Sequence, residues 1–166
     1  MDNNNYKMAN TIQLKIATPE RLILEETVTQ VSLPTKMGEI TILPNHIPLI
    51  AELEFGELLA VKDDEDIPFA IWGGLVEIKN NQVVVLCDIA EFAGEIIYEK
   101  VEEAKNKAED LMKRKGEFTP EEYADLIYGY ERELARFTVA RKYKLKKYRR
   151  LFDIRRSIEY IKKIMN

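Results

Sequence analysis

The chain has 166 residues, 46% of them hydrophobic, which suits one well-buried globular domain or a domain with an appendage. No apolar stretch approaches the roughly twenty residues of a membrane-spanning helix. The single cysteine, Cys87, excludes an internal disulfide and suits a reducing compartment. The net charge of −4 hides a split: residues 1–90 carry 6 basic and 14 acidic side chains, 91–140 carry 8 and 13, and 141–166 carry 11 and 2. Charge is costly to concentrate, so a basic end on an acidic chain marks a binding surface.

Residues 1–10, "MDNNNYKMAN", are polar and lack the apolar core of a secretory signal. They read as a disordered lead-in, and the missing transit signal favours a bacterial source. From residue 11 the pattern is that of strands. Ile12, Leu14 and Ile16 alternate with Gln13 and Lys15; Val31 and Leu33 alternate with Gln30 and Ser32; Ile40 and Ile42 alternate with Glu39 and Thr41. Further strands are predicted over 57–61, 67–72, 75–79 and 82–87. Asn80-Asn81 predicts a tight turn, because Asn tolerates positive φ. The acidic run 63–66 predicts an exposed hairpin tip, and Gly73-Gly74 a bulge or sheet corner. Eight to ten short strands without room for crossover helices imply an antiparallel sandwich or barrel over residues 11–92.

Five of the six prolines precede residue 69 and seven of the eight tyrosines follow residue 90, so the grammar changes near 92. Ile97, Val101, Ala104, Ala108 and Leu111 then recur at helical steps, with Gly116 as the predicted stop. In "FTPEEY" Thr119 can cap, Pro120 suits the first helical position and Glu122 completes a capping box. Tyr123, Leu126, Ile127, Tyr130, Leu134 and Phe137 form the second stripe, and the short connection predicts an antiparallel helical hairpin over residues 93–166. Its seam is alanine-rich and Gly129 weakens the second helix by roughly 1 kcal/mol. The hairpin is therefore expected to be a lightly held arm on a firm body.

No Walker loop, G-x-G-x-x-G, H-E-x-x-H or G-x-S-x-G occurs. The two serines, Ser32 and Ser157, lie in no nucleophile context. The lone histidine, His46, sits in "GEITILPNHIPLI" between Pro44 and Pro48. It has only Cys87 as a possible soft co-ligand and no identifiable acid partner, so a stiff corner or a contact residue outweighs catalysis and metal binding.

That same stretch resembles the signature loop of the epsilon subunits of F-type ATP synthases, with Gly38, Glu39, Pro44, His46, Pro48 and Leu49 at the matching positions. "TPERLILEETVTQVSLPT", "GEL" at 56–58, "GGLVEI" at 73–78 and "VVVLCDIAE" at 83–91 agree in order and spacing, from about Ile12 to Lys147. The resemblance implies a ten-stranded β-sandwich followed by an α-helical hairpin, in a non-catalytic central-stalk subunit. It implies contacts with the gamma subunit and the c-ring through Gly38, Glu39, Pro44, Asn45 and His46. It also implies a regulatory arm that extends toward the alpha/beta head and inhibits ATP hydrolysis, its basic residues being Arg136, Arg141, Lys142, Lys144, Lys146, Lys147, Arg149 and Arg150. The expected place is the cytoplasmic face of a bacterial plasma membrane, peripheral and attached only through the complex, with no nucleic-acid partner.

Two departures stand out. Some bacterial relatives bind ATP through I/L-D-x-x-R-A at the start of the first helix. Here Ile97, Lys100 and Val101 replace the acid, the arginine and the alanine. Lys100 lacks a guanidinium fork, so ATP binding is expected to be weak or absent and no cofactor is expected. The chain also runs past Lys147, with Leu151, Ile154, Ile158, Ile161 and Met165 at helical spacing among basic residues. That extension reads either as a solvated continuation of the second helix or as a binding element. The alternative function class is a basic helix for anionic membrane or nucleic acid.

Overall fold

The computed structural model describes residues 11–165, with the side chains of 115 and 146–165 outside the description. The lead-in at 1–10 therefore lies outside the described residues. Ten strands come first: β1 Ile12–Ala17, β2 Leu22–Val28, β3 Gln30–Thr35, β4 Gly38–Ile42, β5 Leu49–Glu52, β6 Gly56–Lys62, β7 Glu65–Trp72, β8 Leu75–Lys79, β9 Gln82–Leu86 and β10 Ile89–Phe92. Two helices follow, α1 Tyr98–Met112 and α2 Pro120–Met165, joined through a 3₁₀ turn at Lys115–Glu117.

The strands make two five-stranded sheets, β2-β1-β9-β8-β5 (sheet A) and β10-β7-β6-β3-β4 (sheet B). The alternation explains the sandwich. Ile12, Leu14, Ile16, Val76, Ile78, Val83 and Val85 turn inward from sheet A, while Val31, Leu33, Ile42, Leu58, Ala60, Phe69 and Ile71 turn inward from sheet B. Each fully buried aliphatic side chain of this kind is worth about 1.5–3 kcal/mol. Ser32 and Thr41, opposite each other on β3 and β4, share a hydroxyl hydrogen bond of 2.9 Å.

All pairings are antiparallel except one: β1 and β9 run parallel at the centre of sheet A. Side-chain period reports which face a residue takes, not the direction of its neighbour. β9 is a near-continuous apolar run, although only Val83 and Val85 of it are fully buried. Both residues of the predicted Asn turn are left-handed, Asn80 at φ 53° and Asn81 at φ 59°. The acidic tip is shorter than expected: Asp63 and Asp64 alone carry positive φ, and Glu65 and Asp66 already belong to β7.

The capping box is present in full. The Thr119 N–H donates to Glu122 Oε2 at 2.8 Å, and the Glu122 N–H donates to Thr119 Oγ1 at 3.2 Å. Gly116 does not stop α1; the helix ends at Met112 and Gly116 falls within the 3₁₀ turn. Nor is Leu134 in the seam, being exposed, whereas Ala135, Val139 and Ala140 are buried. From residue 135 onward α2 has a second neighbour, sheet B, and its buried face rotates to meet it. At 46 residues α2 is about 69 Å long. It continues unbroken through the extension, whose predicted apolar stripe (151–165) lies outside the described side chains.

Candidate partner-contact surfaces

The five loop residues fall at two ends of one strand. Gly38 opens β4 after a turn in which Thr35 Oγ1 donates to the Gly38 carbonyl at 2.6 Å and accepts the Met37 N–H at 3.2 Å. A φ of 106° demands glycine there, although the space around it is open. Glu39 is exposed, and Met37 at the tip is 95% exposed. β4 then spans about 13 Å before the corner begins. Pro44 is half-buried, and Asn45 is left-handed at φ 66°. The Asn45 N–H donates to Asn81 Oδ1 at 2.5 Å, and Asn81 Nδ2 donates to Asn45 Oδ1 at 3.3 Å. The Asn81 carbonyl in turn accepts the Gln13 N–H at 2.8 Å. The corner is thus tied through one asparagine to the β8–β9 turn and to β1.

His46 closes the corner locally. Its N–H donates to the Leu43 carbonyl at 3.2 Å, and its Nδ1 lies 2.7 Å from the Ile47 carbonyl, so that nitrogen carries the proton. Among the described residues, no group of His, Cys, Asp and Glu could hold a metal ion. Burial, and then the charge of Asp88, push the Cys87 thiol up to about 11. Such a thiol is a poor ligand and a poor nucleophile at neutral pH.

Sequence patterning missed an apolar row at the opposite end of sheet A from this corner. On the outer face of sheet A, Leu22 pairs with Ala17, Ala17 with Leu86, and Leu86 with Leu75. The three leucines are about half exposed, and Ile50 on β5 is 69% exposed. A contiguous aliphatic strip of this kind on a water-facing sheet marks an interaction surface. Its one trace in the sequence is that Leu75 occupies a phase that β8 otherwise gives to Glu77 and Lys79.

The basic arm is engaged with its own chain. Arg136 sets its fork on Glu91 of β10, with Nε and Nη2 at 2.8 and 3.0 Å from the two carboxylate oxygens, and Nη1 reaches Glu133 at 3.0 Å. Burial lowers its pKa, but Glu91, and then Glu133, more than offset that, and the net shift is upward. Lys142 meets Glu57 of β6 at 2.5 Å. Lys144 meets Glu99 of α1 at 2.5 Å and lies 4.3 Å from the centroid of the Tyr98 ring. Arg141 is exposed and lies 5.5 Å from the Phe137 ring centroid. Lys146, Lys147, Arg149 and Arg150 lie on α2, outside the described side chains.

Beneath these pairs is a second, smaller core. Ala70, Trp72, Ala93, Ile96, Val101, Val139 and Ala140 form it, with Tyr98, Phe137 and Tyr143 packed on its rim. Trp72 is 2% exposed, and its indole N–H has no acceptor among the described residues. Beside this core a cleft of about 380 Å³ opens between residues 54–57 and α2, lined by Leu134, Ala135 and Val139 with Glu54, Glu57 and Glu131. α2 nevertheless also meets the sandwich through aromatic edges: Phe55, just before β6, contacts Tyr128 at 5.1 Å between ring centroids, and Phe92 of β10 contacts Tyr143 at 6.5 Å. At the motif positions of the ATP-binding relatives, Ile97 is the N-cap of α1 with no side-chain cap, and Val101 is buried.

Residues 11–93 match the beta-sandwich domain of the ATP synthase delta/epsilon chain. The ATP synthase epsilon chain of Trichlorobacter lovleyi is 36% identical over 137 residues, covering 81% of this chain and 97% of that one. The epsilon chain of Herpetosiphon aurantiacus is 45% identical over 102 residues, covering 61% of this chain and 75% of its own length. A chain in the mitochondrial ATP synthase of Euglena gracilis (OSCP/F1/c-ring, rotational state 1) superposes with a TM-score of 0.67 over 79% of this chain and 90% of its own, at 18% identity. That likeness is one of fold.

Proposed function

The chain belongs to the delta/epsilon family of ATP synthase subunits, and we propose that it is a non-catalytic central-stalk subunit that restrains ATP hydrolysis through α2. In this reading the gamma subunit and the c-ring meet the sandwich at Gly38, Glu39, Pro44, Asn45 and His46, and gamma also covers the Leu22–Ala17–Leu86–Leu75 row. Burial of that row against a stalk partner would account for its exposure in the isolated chain. The subunit is held at the cytoplasmic face of the membrane by the complex; among the described residues, no helix is long and apolar enough to cross a bilayer.

The observation that carries the brake is the way α2 rests on sheet B. It does so through a small core of mostly short side chains, two aromatic edges, a cleft and a few ion pairs, a limited contact that a better partner can displace. Arg136, Arg141, Lys142 and Lys144, with the basic residues that follow, then offer cations to acidic loops of the catalytic head. A shift of about 1–3 kcal/mol suffices to change the populations five- to 150-fold. Removal of residues 118–166 raises the ATPase activity of the assembled complex in this reading, and co-purification with gamma tests the stalk assignment. Unchanged ATPase activity places the brake elsewhere.

The isolated subunit binds ATP weakly or not at all, because Ile97, Lys100 and Val101 supply neither the acid nor the guanidinium fork. Micromolar affinity in calorimetry would overturn this. A membrane or nucleic-acid role for the basic helix has less support, since Arg136, Lys142 and Lys144 already have carboxylate partners.

A further inference from the structure

We propose that the arm is held by a two-sided carboxylate seat on sheet B, with Glu91 and Glu57 flanking Ala70, and that the Arg136 fork on Glu91 sets the opening equilibrium. This deepens the brake reading and rests on it for its physiological meaning. The seat follows from the sheet register. Ala70 of β7 pairs with Glu91 of β10 on one side and with Glu57 of β6 on the other. The outer face of sheet B therefore presents a row of carboxylate, methyl and carboxylate. α2 lies over the methyl: Val139 and Ala140 share the buried cluster of Ala70. Arg136 and Lys142 are six residues apart, about 120° around the helix and about 9 Å along it, so that they meet different carboxylates of the row. Each reaches down to the carboxylate on its own side.

The two flanks are unequal. The Arg136–Glu91 pair is bidentate and about one-quarter exposed on both sides, and Glu133, which completes it, has a side chain 8% exposed. Lys142 is 61% exposed and makes a single contact with Glu57. A planar fork on a partly buried carboxylate holds far more than a solvated ammonium. Glu91 also sits seven positions before α1 begins, beside the chain segment about which the hairpin must turn. Trp72 lies in the same buried cluster as Ala70, Val139 and Ala140, and its indole N–H has no acceptor among the described residues.

Trp72 is the only tryptophan of the chain, so its emission reports the seat directly. The test uses the full-length isolated subunit and reads amide hydrogen exchange over 133–144 together with Trp72 emission. Glu91→Gln is expected to speed exchange of that segment roughly ten- to hundredfold and to red-shift the emission. Glu57→Gln is expected to give no more than about fivefold, and Arg136→Lys to fall between. Raising salt to about 0.5 M is expected to open the wild-type seat and to have little effect on the Glu57→Gln/Glu91→Gln double variant. β1, β8 and β9 keep their protection throughout. The proposal is overturned if Glu91→Gln opens the arm no more than Glu57→Gln does, or if exchange rises equally in sheet A. Neither result bears on gamma binding or on the ATPase of the truncated complex, so failure of the seat and failure of the brake are separable.

Discussion

Replacing Asn81 by glycine isolates the tether that shapes the His46 corner. Asn81 adopts φ 59°, which glycine accepts without strain, and its backbone carbonyl still receives the Gln13 N–H. Only the two side-chain hydrogen bonds to Asn45 disappear. Bonds of this kind contribute about 0.5–1.5 kcal/mol each, and exposure puts both toward the lower end. The 3.3 Å bond is the weaker, so a net loss of about 1 kcal/mol is expected. Residues 43–48 then have to be ordered when the partner binds, and about 1 kcal/mol corresponds to a roughly fivefold weaker complex with gamma. Calorimetric titration with gamma reads the affinity, and a urea midpoint checks the fold. Asn80→Gly is the control: Asn80 has the same left-handed backbone, φ 53°, and its side chain makes no hydrogen bond among the described residues. If Asn81→Gly binds gamma as the wild type does, or if Asn80→Gly is weakened equally, preorganisation of the corner is not what the tether supplies.

Other perturbations follow from the same geometry. Thr119→Ala removes the acceptor for the Glu122 N–H and should cost about 1 kcal/mol, visible as faster exchange in the first turn of α2 with little change in the sandwich midpoint. Gly74→Ala sets a methyl group against the Leu86 carbonyl at a φ of 104° and should lower stability by about 3 kcal/mol or more, read from urea unfolding. Cys87 should resist thiol reagents in the native protein at mildly alkaline pH and react on unfolding. Its raised pKa means stability that is full below about 9 and lost as pH climbs toward about 11, a decline that Cys87→Ser should flatten in a pH series of urea midpoints.

What the sequence disclosed depended on whether one neighbour or two determined a side chain's place. The strands Ile12–Ala17 and Gly38–Ile42 alternate because each has one buried and one wetter face, and Gln30–Thr35 alternates although Ser32 and Thr35 are buried too, so period 2 suffices to find all three. β2 was hidden because a register shift opposite Ile16/Ala17 brings Ile23 and Leu24 inward in succession and breaks the alternation. β5 and β10, four residues each, are too short for any period to emerge. The box at Thr119 was legible because both of its bonds close within three residues. The face of α2 was legible only in part: Phe137 answers to α1, but Val139 and Ala140 answer to Ala70, some seventy residues away. The basic residues could be counted in advance; their carboxylate partners could not, since Glu91 and Glu57 become neighbours of one alanine only after the sheet has formed.

The parallel pairing of β1 with β9 affects how the body is made. β1 is the first strand synthesised, yet one of its flanks stays bare until Gln82–Leu86 has been translated. Until then β1 and β2 offer the nascent chain only a two-stranded ribbon, and such a ribbon is not stable in water by itself. Sheet A therefore closes late, in a step that brings together segments about seventy residues apart, and its formation should be slow compared with the local hairpins of sheet B. A chain cut anywhere between these two strands would not leave a smaller working body; it would leave an open β edge prone to aggregation.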